Sequence, residues 1–397
     1  MRKTLIILSA ALLAAACHPE DRVHDSSGTS RQPGGRTPAD PVQAEGLHTY
    51  LTAVRFPDGY DWESDSCTVD GTVLIDLYRD GELIRSIPAG ESVHPDMHRF
   101  AGGHLYTDYS TDTETVVACD GTELFRFGGR EALRGFLVRE DGVHTLGQDR
   151  DGTGFTYRID GREVFRSETG TVLGSLDRSS PAGGALMPEG DDAVYYACRL
   201  PSERGQEYRV MRNAERYRTL AESDGVRDLI VVGGRVCRVQ SKPRKLVLDV
   251  DGTETVLGLR GGESARWCRM VAWQDDILVL VCASGAGGKR YFLQTAGGAS
   301  FQAGDGDIVT DVLADSRRMG WTVTDGSGLL RRVRWSDGSQ ADIPPGGCLA
   351  SGRCALLHEG RLLLALTGRN GTPNRFVTDT ESTDFPFNGY FTSVTVE

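Results

Sequence analysis

A short phrase recurs along this chain and constrains its fold more than any other feature. In FTYRIDGREVFRS, residues 155–167, apolar and polar side chains alternate on both sides of Asp160-Gly161. This period of two is typical of a strand with two unlike faces, and Asp-Gly suits a type I′ turn, whose two central residues have positive φ. The phrase predicts a β-hairpin. Counting outward from the turn pairs Ile159 with Arg162, Arg158 with Glu163 and Tyr157 with Val164.

Equivalent turns recur at a nearly constant spacing. Related phrases such as LIDLYRDGELIRS and LVLDVDGTETVL place turns at positions 80, 120, 160, 213, 251, 297, 337 and 379, at intervals of 40, 40, 53, 38, 46, 40 and 42 residues. A second series of a turn followed by an apolar strand, from GGHLYT to EGRLLLA, keeps the same interval. Repeats of about 40–45 residues with four strands each are typical of β-propellers. We predict an all-β propeller of eight four-stranded blades. Seven blades is the alternative, because the first and last units are the least regular.

The two ends of the repeat predict how the ring closes. The last stretch, GYFTSVTVE, has no hairpin partner of its own, and HTYLTAVRF begins the first unit. If the last strand completes the first blade, no strand edge is left open in the ring. We therefore assign residues 47–397 to the propeller; a frayed carboxyl-terminal tail is the alternative.

The first 46 residues differ from the rest in composition. Residues 1–17, MRKTLIILSAALLAAAC, carry two basic residues, an apolar run too short for a spanning helix, and then Cys17. This pattern is typical of an export signal. Residues 18–46 lack aromatic side chains and are rich in Pro, Gly, Ser and charge, which predicts a flexible tether.

The small residues before Cys17 resemble the lipobox of bacterial lipoproteins, although Ala14 stands where leucine is commonest. The resemblance implies that Cys17 is lipidated; an ordinary cleaved signal with a chance cysteine is the alternative. With the polar tether and a β-rich body, the chain resembles Bacteroidetes-type cell-envelope lipoproteins. Because His18 rather than Asp follows the cysteine, the usual sorting rule of proteobacterial lipoproteins implies an outer-membrane location, at the periplasmic face or the cell surface. Glu20 and Asp21 resemble the acidic export tag of surface-exposed members.

The net charge limits the classes of partner that the chain can bind. Without Arg2 and Lys3, 42 basic residues stand against 56 acidic ones, a net charge of −14. Phosphate binding needs concentrated Lys and Arg, so nucleic acid and anionic membrane surfaces are poor partners. We expect contact with a membrane only through the lipid anchor.

Nine cysteines include Cys17, which leaves eight in an export context that permits disulfides. No C-x-x-C occurs, which argues against zinc. Cys268 and Cys282 would face each other if WCRMVAW and ILVLVC form a hairpin turning near Asp275, so this pair is the candidate disulfide. Buried free thiols that fill blade cores are the alternative.

Candidate binding residues lie on the longer loops. In a four-stranded blade, the loop between the second and third strands and the connection to the next blade emerge on one face, whereas the Asp-Gly turns lie on the other. Loops on a rigid scaffold concentrate binding residues. On the loop-rich side are Trp62 and Trp267, together with Asp149 and Asp151 of DRDGTG, whose start resembles a calcium loop without its later carboxylate.

The segment HPDMH gives a candidate metal site. His94, Asp96 and His98 stand at alternate positions, which puts all three on one side of an extended segment, and two histidines with a carboxylate suit a divalent metal. A solvated loop is the alternative. No other feature implies a cofactor.

Motifs of catalysis do not decide the function. The sequence has no G-x-S-x-G and no H-E-x-x-H. We favour the interpretation that the protein is a lipid-anchored envelope or surface module that binds or scaffolds a glycan or protein through its loop-rich face, over that of an enzyme. The alternative is a carbohydrate-active enzyme, a polysaccharide lyase or glycoside hydrolase, that uses acidic or histidine residues on the same face.

Overall fold

The computed structural model is an eight-bladed β-propeller, as predicted. It describes residues 47–62, 71–89, 98–110, 113–128, 131–173, 185–189, 193–203, 205–220, 225–304 and 306–397. The predicted tether and signal, residues 1–46 with Cys17, lie outside these ranges. In the described part of the chain, no helix has the length and apolarity needed to cross a membrane.

The first four blades are antiparallel sheets in which consecutive strands pair, except that the first two short strands of blade 4 both pair with its third strand. Their strands are, for blade 1, β1 (Thr49–Arg55), β2 (Leu74–Arg79) and β3 (Glu82–Pro88); for blade 2, β4 (Arg99–Ala101), β5 (His104–Ser110), β6 (Glu114–Cys119) and β7 (Thr122–Gly128); for blade 3, β8 (Glu131–Arg139), β9 (Gly142–Asp149), β10 (Phe155–Ile159) and β11 (Arg162–Ser167); for blade 4, β12 (Thr171–Leu173), β13 (Met187–Glu189), β14 (Ala193–Ser202), β15 (Gly205–Arg212) and β16 (Glu215–Leu220).

The second four blades repeat this plan. Their strands are, for blade 5, β17 (Val226–Val232), β18 (Arg235–Lys242), β19 (Lys245–Val250) and β20 (Thr253–Leu257); for blade 6, β21 (Ser264–Trp273), β22 (Asp276–Gly285), β23 (Gly288–Thr295) and β24 (Ser300–Gln302); for blade 7, β25 (Ile308–Ala314), β26 (Met319–Thr324), β27 (Leu330–Trp335) and β28 (Gln340–Asp342); for blade 8, β29 (Gly347–Cys348), a 3-10 turn at Gly352–Cys354, β30 (Ala355–His358), β31 (Arg361–Gly368), β32 (Asn374–Thr378) and β33 (Ser382–Phe385); β34 (Gly389–Val396) returns to blade 1.

Eight hydrophobic clusters hold the ring together, one between each pair of successive blades. Because each sheet is apolar on both faces, each blade buries its two faces against its neighbours. The first strands of neighbouring blades contact one another around the ring, for example β17 with β21 and β21 with β25. These strands, with β34 taking the place of a first strand in blade 1, are therefore the innermost ones and line the central channel.

The last strand closes the ring, as GYFTSVTVE predicted. Strand β34 pairs antiparallel with β1, so that both ends of the propeller share blade 1. Phe391 of β34 is fully buried in the cluster between blades 8 and 1. At the junction, the amide of His48 donates to the carbonyl of Glu397 at 2.8 Å, and the amide of Glu397 donates back at 3.1 Å.

The Asp-Gly turns join the third and fourth strands of their blades and have a second task. Asp80, Asp120, Asp160 and Asp251 have φ between 49° and 51°, and the glycine after each also has positive φ, as a type I′ turn requires. In each case the aspartate Oδ1 accepts the amide proton of the residue near the start of the second strand of its blade, at 2.9 Å. Asn213 makes the same contact in blade 4. We call this contact the turn clip. Asp337 is an exception to the type I′ prediction, because its φ is not positive.

One predicted pairing of the hairpin is wrong. Ile159 pairs with Arg162 and Arg158 with Glu163, but Tyr157 pairs with Phe165 because Val164 is the extra residue of a β-bulge. The same bulge occurs in blades 1, 2 and 4. Bulges twist an outer strand and hinder edge-to-edge pairing with another chain, which all outermost strands of a propeller must avoid.

Candidate functional site: the loop-rich mouth of the central channel

The innermost strands share a bulge close to the loop-rich face. Each such strand starts where the connection from the preceding blade ends, and in five blades an extra residue interrupts its pairing with the second strand. The extra residues are Arg134, Arg227, Arg266, Thr310 and Thr392. A bulge leaves its extra residue outside the regular ladder and re-aims its side chain. The bulges therefore place a ring of polar side chains at the channel mouth.

Three of these five residues are exposed arginines, on strands whose other side chains are mostly buried or half-buried. Arg227 Nε donates to Ser241 Oγ at 2.9 Å, and Arg266 Nε donates to Ser284 Oγ at 2.9 Å. Each serine lies on the second strand of the same blade. The bond at Nε orients each guanidinium, and its two terminal nitrogens have no hydrogen-bond partner among the described residues.

Two of the extra residues, Arg227 and Thr310, are each followed by an aspartate that the fold already uses. Asp228 accepts the amide protons of Leu229, at 2.9 Å, and of Met270 in the next blade, at 2.7 Å. Asp311 accepts the amide proton of Val312 at 2.7 Å and forms an ion pair with Arg269. Both carboxylates are buried. The acidic groups of these two strands thus join neighbouring blades, and the exposed charges among the five extra residues are all positive.

Trp267 lies beside this positive charge. It follows Arg266 on β21, is 37% exposed, and its ring lies 6.1 Å from that of Tyr291 at 55°. Tyr291 is paired with Cys282, which stands two residues from Ser284 on β22. The side chains of Arg266 and Trp267 therefore lie on the same face of blade 6, the face turned toward blade 7. The structure brings an exposed indole and an exposed guanidinium together.

Trp62, the other predicted aromatic, lies elsewhere. Its ring stands 5.6 Å from that of Tyr390, and the guanidinium carbon of Arg369 lies 4.8 Å from its centroid. It belongs to the cluster between blades 1 and 2. Trp62 and Trp267 therefore lie on different blades, and the side chains of Tyr390 and Arg369 pack against Trp62.

Asp149 is the last residue of β9, and Asp151 lies in the loop between β9 and β10. Asp151 Oδ1 accepts from the amide of Thr153 at 3.0 Å and from its hydroxyl at 2.6 Å. Asp325 makes the same two contacts to Ser327 in blade 7. Because this pattern recurs as a local turn, it accounts for the Asp-Gly-Thr sequence without calcium. Burial, followed by the nearby Glu131, raises the pKa of Asp149.

The HPDMH segment is only partly described. His94 and Asp96 lie outside the described residues. His98 is 1% exposed, and neither of its ring nitrogens has a hydrogen-bond partner among the described residues. Burial, with the nearby charge of Arg353, lowers the pKa of His98 to about 3, so the ring is neutral. The metal-site prediction remains a prediction.

A different group of ligand types occurs on the turn face. A ring nitrogen of His104, Cys119 Sγ and a carboxylate oxygen of Asp120 lie within 4.8 Å of one another. Asp120 is the turn clip of blade 2, and His104 Nδ1 contacts its Oδ2 at 2.8 Å. In blade 1, His48 contacts the clip residue Asp80 in the same way at 2.5 Å. Because the contact recurs where there is no cysteine, we interpret the group as part of the turn and assign no metal to it.

The predicted disulfide between Cys268 and Cys282 is not formed. The hairpin exists, but its turn is Gln274-Asp275, so Cys268 pairs with Val281, and Cys282 with Trp267. A shift of one residue turns a side chain to the opposite face of a sheet. Both cysteines are free, and they pack on opposite sides of blade 6. The alternative, free thiols within blade cores, describes them correctly.

Sequence reasoning missed the bulge arginines. The available signal was an arginine within an inner strand of apolar or small residues, as in Leu133-Arg134-Gly135 and Ala265-Arg266-Trp267. Only the closed ring shows that these positions line a channel.

Comparisons with known proteins identify the fold and no family. No protein-family model matches the sequence, and no curated protein matches it. Among solved structures, the chain is similar to the dihydro-heme d1 dehydrogenase NirN in complex with DHE, with a TM-score of 0.53 and 12% identity over 87% of this chain and 74% of that one. It is more distantly similar to a eukaryotic initiation factor, with a TM-score of 0.46 and 15% identity over 84% of this chain and 82% of that one. At these identities the likeness concerns the fold alone.

Proposed function

We propose that this protein is a lipid-anchored binding module of the outer membrane, which holds a glycan or protein ligand at the loop-rich mouth of its channel. The observation that carries the proposal is the pair of exposed side chains Arg266 and Trp267 on an innermost strand. Exposed aromatic and arginine side chains at a concave site are the usual anchors of recognition. The buried carboxylates of the neighbouring strands serve the fold, which favours binding over acid–base chemistry.

The position of the first described residues supports a membrane anchor on the face opposite the mouth. His48, at the start of the described residues, contacts the turn-clip residue Asp80 and therefore lies at the turn face. The mouth opens on the opposite face. A tether of residues 18–46 would span roughly 30 Å if it behaves as a flexible coil. In our proposal this arrangement holds the ligand site away from the membrane.

Ligand binding is tested by a glycan array probed with the full mature protein, followed by titration with the best ligand. We expect Trp267→Ala to weaken binding by about 1–3 kcal/mol while the circular dichroism spectrum is unchanged. Trp62→Phe, at a packed aromatic, is the control and should bind as the wild type does. Undiminished binding by Trp267→Ala would overturn the placement of the site.

Anchoring needs a separate test. Cys17→Ala should move the protein from the membrane fraction to the soluble fraction, because each buried CH₂ of an acyl chain contributes about 0.8 kcal/mol. A variant that stays in the membrane fraction would contradict lipidation at this residue.

A further inference from the structure

We infer that the ligand of the channel mouth is an acidic oligosaccharide, whose carboxylates are bound by the bulge arginines and whose sugar ring packs on Trp267. This inference rests on the proposed function and names the chemical class of its ligand. It follows from the placement of Arg134, Arg227 and Arg266, which belong to three different blades.

The first step is the sign of the charge. The whole chain carries a net charge of −12, yet three exposed guanidiniums occupy equivalent positions on its innermost strands. No described residue accepts a hydrogen bond from their terminal nitrogens. A cleft lined by charges of one sign concentrates ions of the opposite sign. The three equivalent arginines therefore favour an anion at the innermost strands, although the protein as a whole repels one.

The second step is the orientation of two guanidiniums. Arg227 lies on the face of blade 5 turned toward blade 6, because its serine partner shares β18 with the residues that pack there. Arg266 lies on the face of blade 6 turned toward blade 7. In both arginines a serine hydroxyl accepts the hydrogen bond from Nε. The two terminal nitrogens of each guanidinium therefore remain as a pair of donors, a fork, for a ligand. Such a fork binds a planar carboxylate through two parallel hydrogen bonds.

The third step is the indole. Trp267 is exposed on the same face as Arg266, so the residue next to this guanidinium offers a ligand an apolar ring. A free inorganic anion has no surface for that ring. A sugar ring offers a face of C–H groups, and a sugar acid carries a carboxylate at its edge. The pair of side chains matches a sugar acid better than either a neutral sugar or a simple anion.

The test is isothermal titration of the full mature protein in detergent with hexagalacturonate. Its fully methyl-esterified form, with the same rings and no charge, is the matched ligand. We expect the acid to bind at least tenfold more tightly than the ester, and its affinity to fall as salt is raised, because exposed charges are screened. Equal affinity for acid and ester would overturn the inference while leaving a sugar-binding function intact.

The variants Arg227→Gln and Arg266→Gln should each weaken binding of the acid at least tenfold and leave binding of the ester unchanged. Arg361→Gln is the control, because Arg361 is an exposed arginine at the start of β31, on the turn face. Wild-type affinity for the acid in both mouth variants would overturn the inference. Sodium sulfate is the third probe: if it binds as tightly as the hexasaccharide, with the same dependence on Arg227 and Arg266, the site takes a simple anion and the assignment of a sugar acid fails. If neither acid nor ester binds, the inference fails, and the proposed function then depends on the array.

Discussion

The turn clip predicts how three substitutions at one residue should differ. Asp160 has φ of 49°, and its Oδ1 accepts the amide proton of Val143 at 2.9 Å. Val143 is 5% exposed, so this amide has little access to water. Asp160 thus contributes an acceptor for a buried donor and also tolerates the left-handed backbone conformation.

The variants of Asp160 separate the contribution of the hydrogen-bond acceptor from that of the left-handed backbone conformation. Asp160→Ala leaves the amide of Val143 unpaired, which costs about 1–3 kcal/mol, and puts an alanine in the left-handed region, which costs about 1–2 kcal/mol more. Asp160→Gly removes only the acceptor and should cost about 1–3 kcal/mol. Asp160→Asn keeps both properties, as Asn213 does in blade 4, and should change stability by less than about 0.5 kcal/mol.

The assay is equilibrium urea unfolding followed by circular dichroism, with comparison of midpoints at constant slope. Asp337→Ala is the control, because Asp337 has no positive φ, so the variant should lose only the hydrogen bonds that Asp337 accepts from the amide and hydroxyl of Ser339. Equal stability of the alanine and asparagine variants of Asp160 would refute the clip. Equal loss in the glycine and alanine variants would refute the backbone contribution.

Three further predictions concern closure, pH and thiols. Phe391→Ala should destabilise the protein by about 3–5 kcal/mol in the same assay, because it empties the fully buried core of the closing strand; a loss below 1 kcal/mol would contradict closure by β34. The hydrogen bond from Arg290 holds the pKa of Glu263 at about 2, below its usual 4.5, so its contribution to stability is present above pH 4.5 and is lost as the pH falls toward 2; Glu263→Gln should flatten this acid limb of the stability curve, and an unchanged limb would count against the pair. Cys268 and Cys282 should both react with iodoacetamide after denaturation without reductant, and a linked peptide in non-reducing mapping would disprove their separation.

The hairpins of the fold were predictable because each is determined by a short local segment of the sequence. A type I′ turn needs two residues of positive φ, so Asp160-Gly161 marks its hairpin without knowledge of the rest of the chain. Blade number followed from the spacing of such turns. Bulges were not predictable in the same way: Val164 alternates like its neighbours, and only the pairing of Tyr157 with Phe165 shows that it is extra.

The site was predictable only in part, because it depends on the closed ring. Trp267 was a candidate from the sequence, and its exposure on an innermost strand follows from the structure. Arg227 and Arg266 look like ordinary exposed strand residues until the ring shows that they line a channel. The predicted disulfide between Cys268 and Cys282 is wrong because the register of the hairpin differs by one residue from the expected one. This difference turns one of the two side chains away from the other.

A crystal structure of the mature protein with bound hexagalacturonate tests the central claim most directly. Our account predicts a sugar ring against the indole of Trp267, with carboxylates within hydrogen-bond distance of Arg227 and Arg266, at the loop-rich mouth. A saccharide bound at the turn face or along the outermost strands, with this mouth empty, would contradict the account.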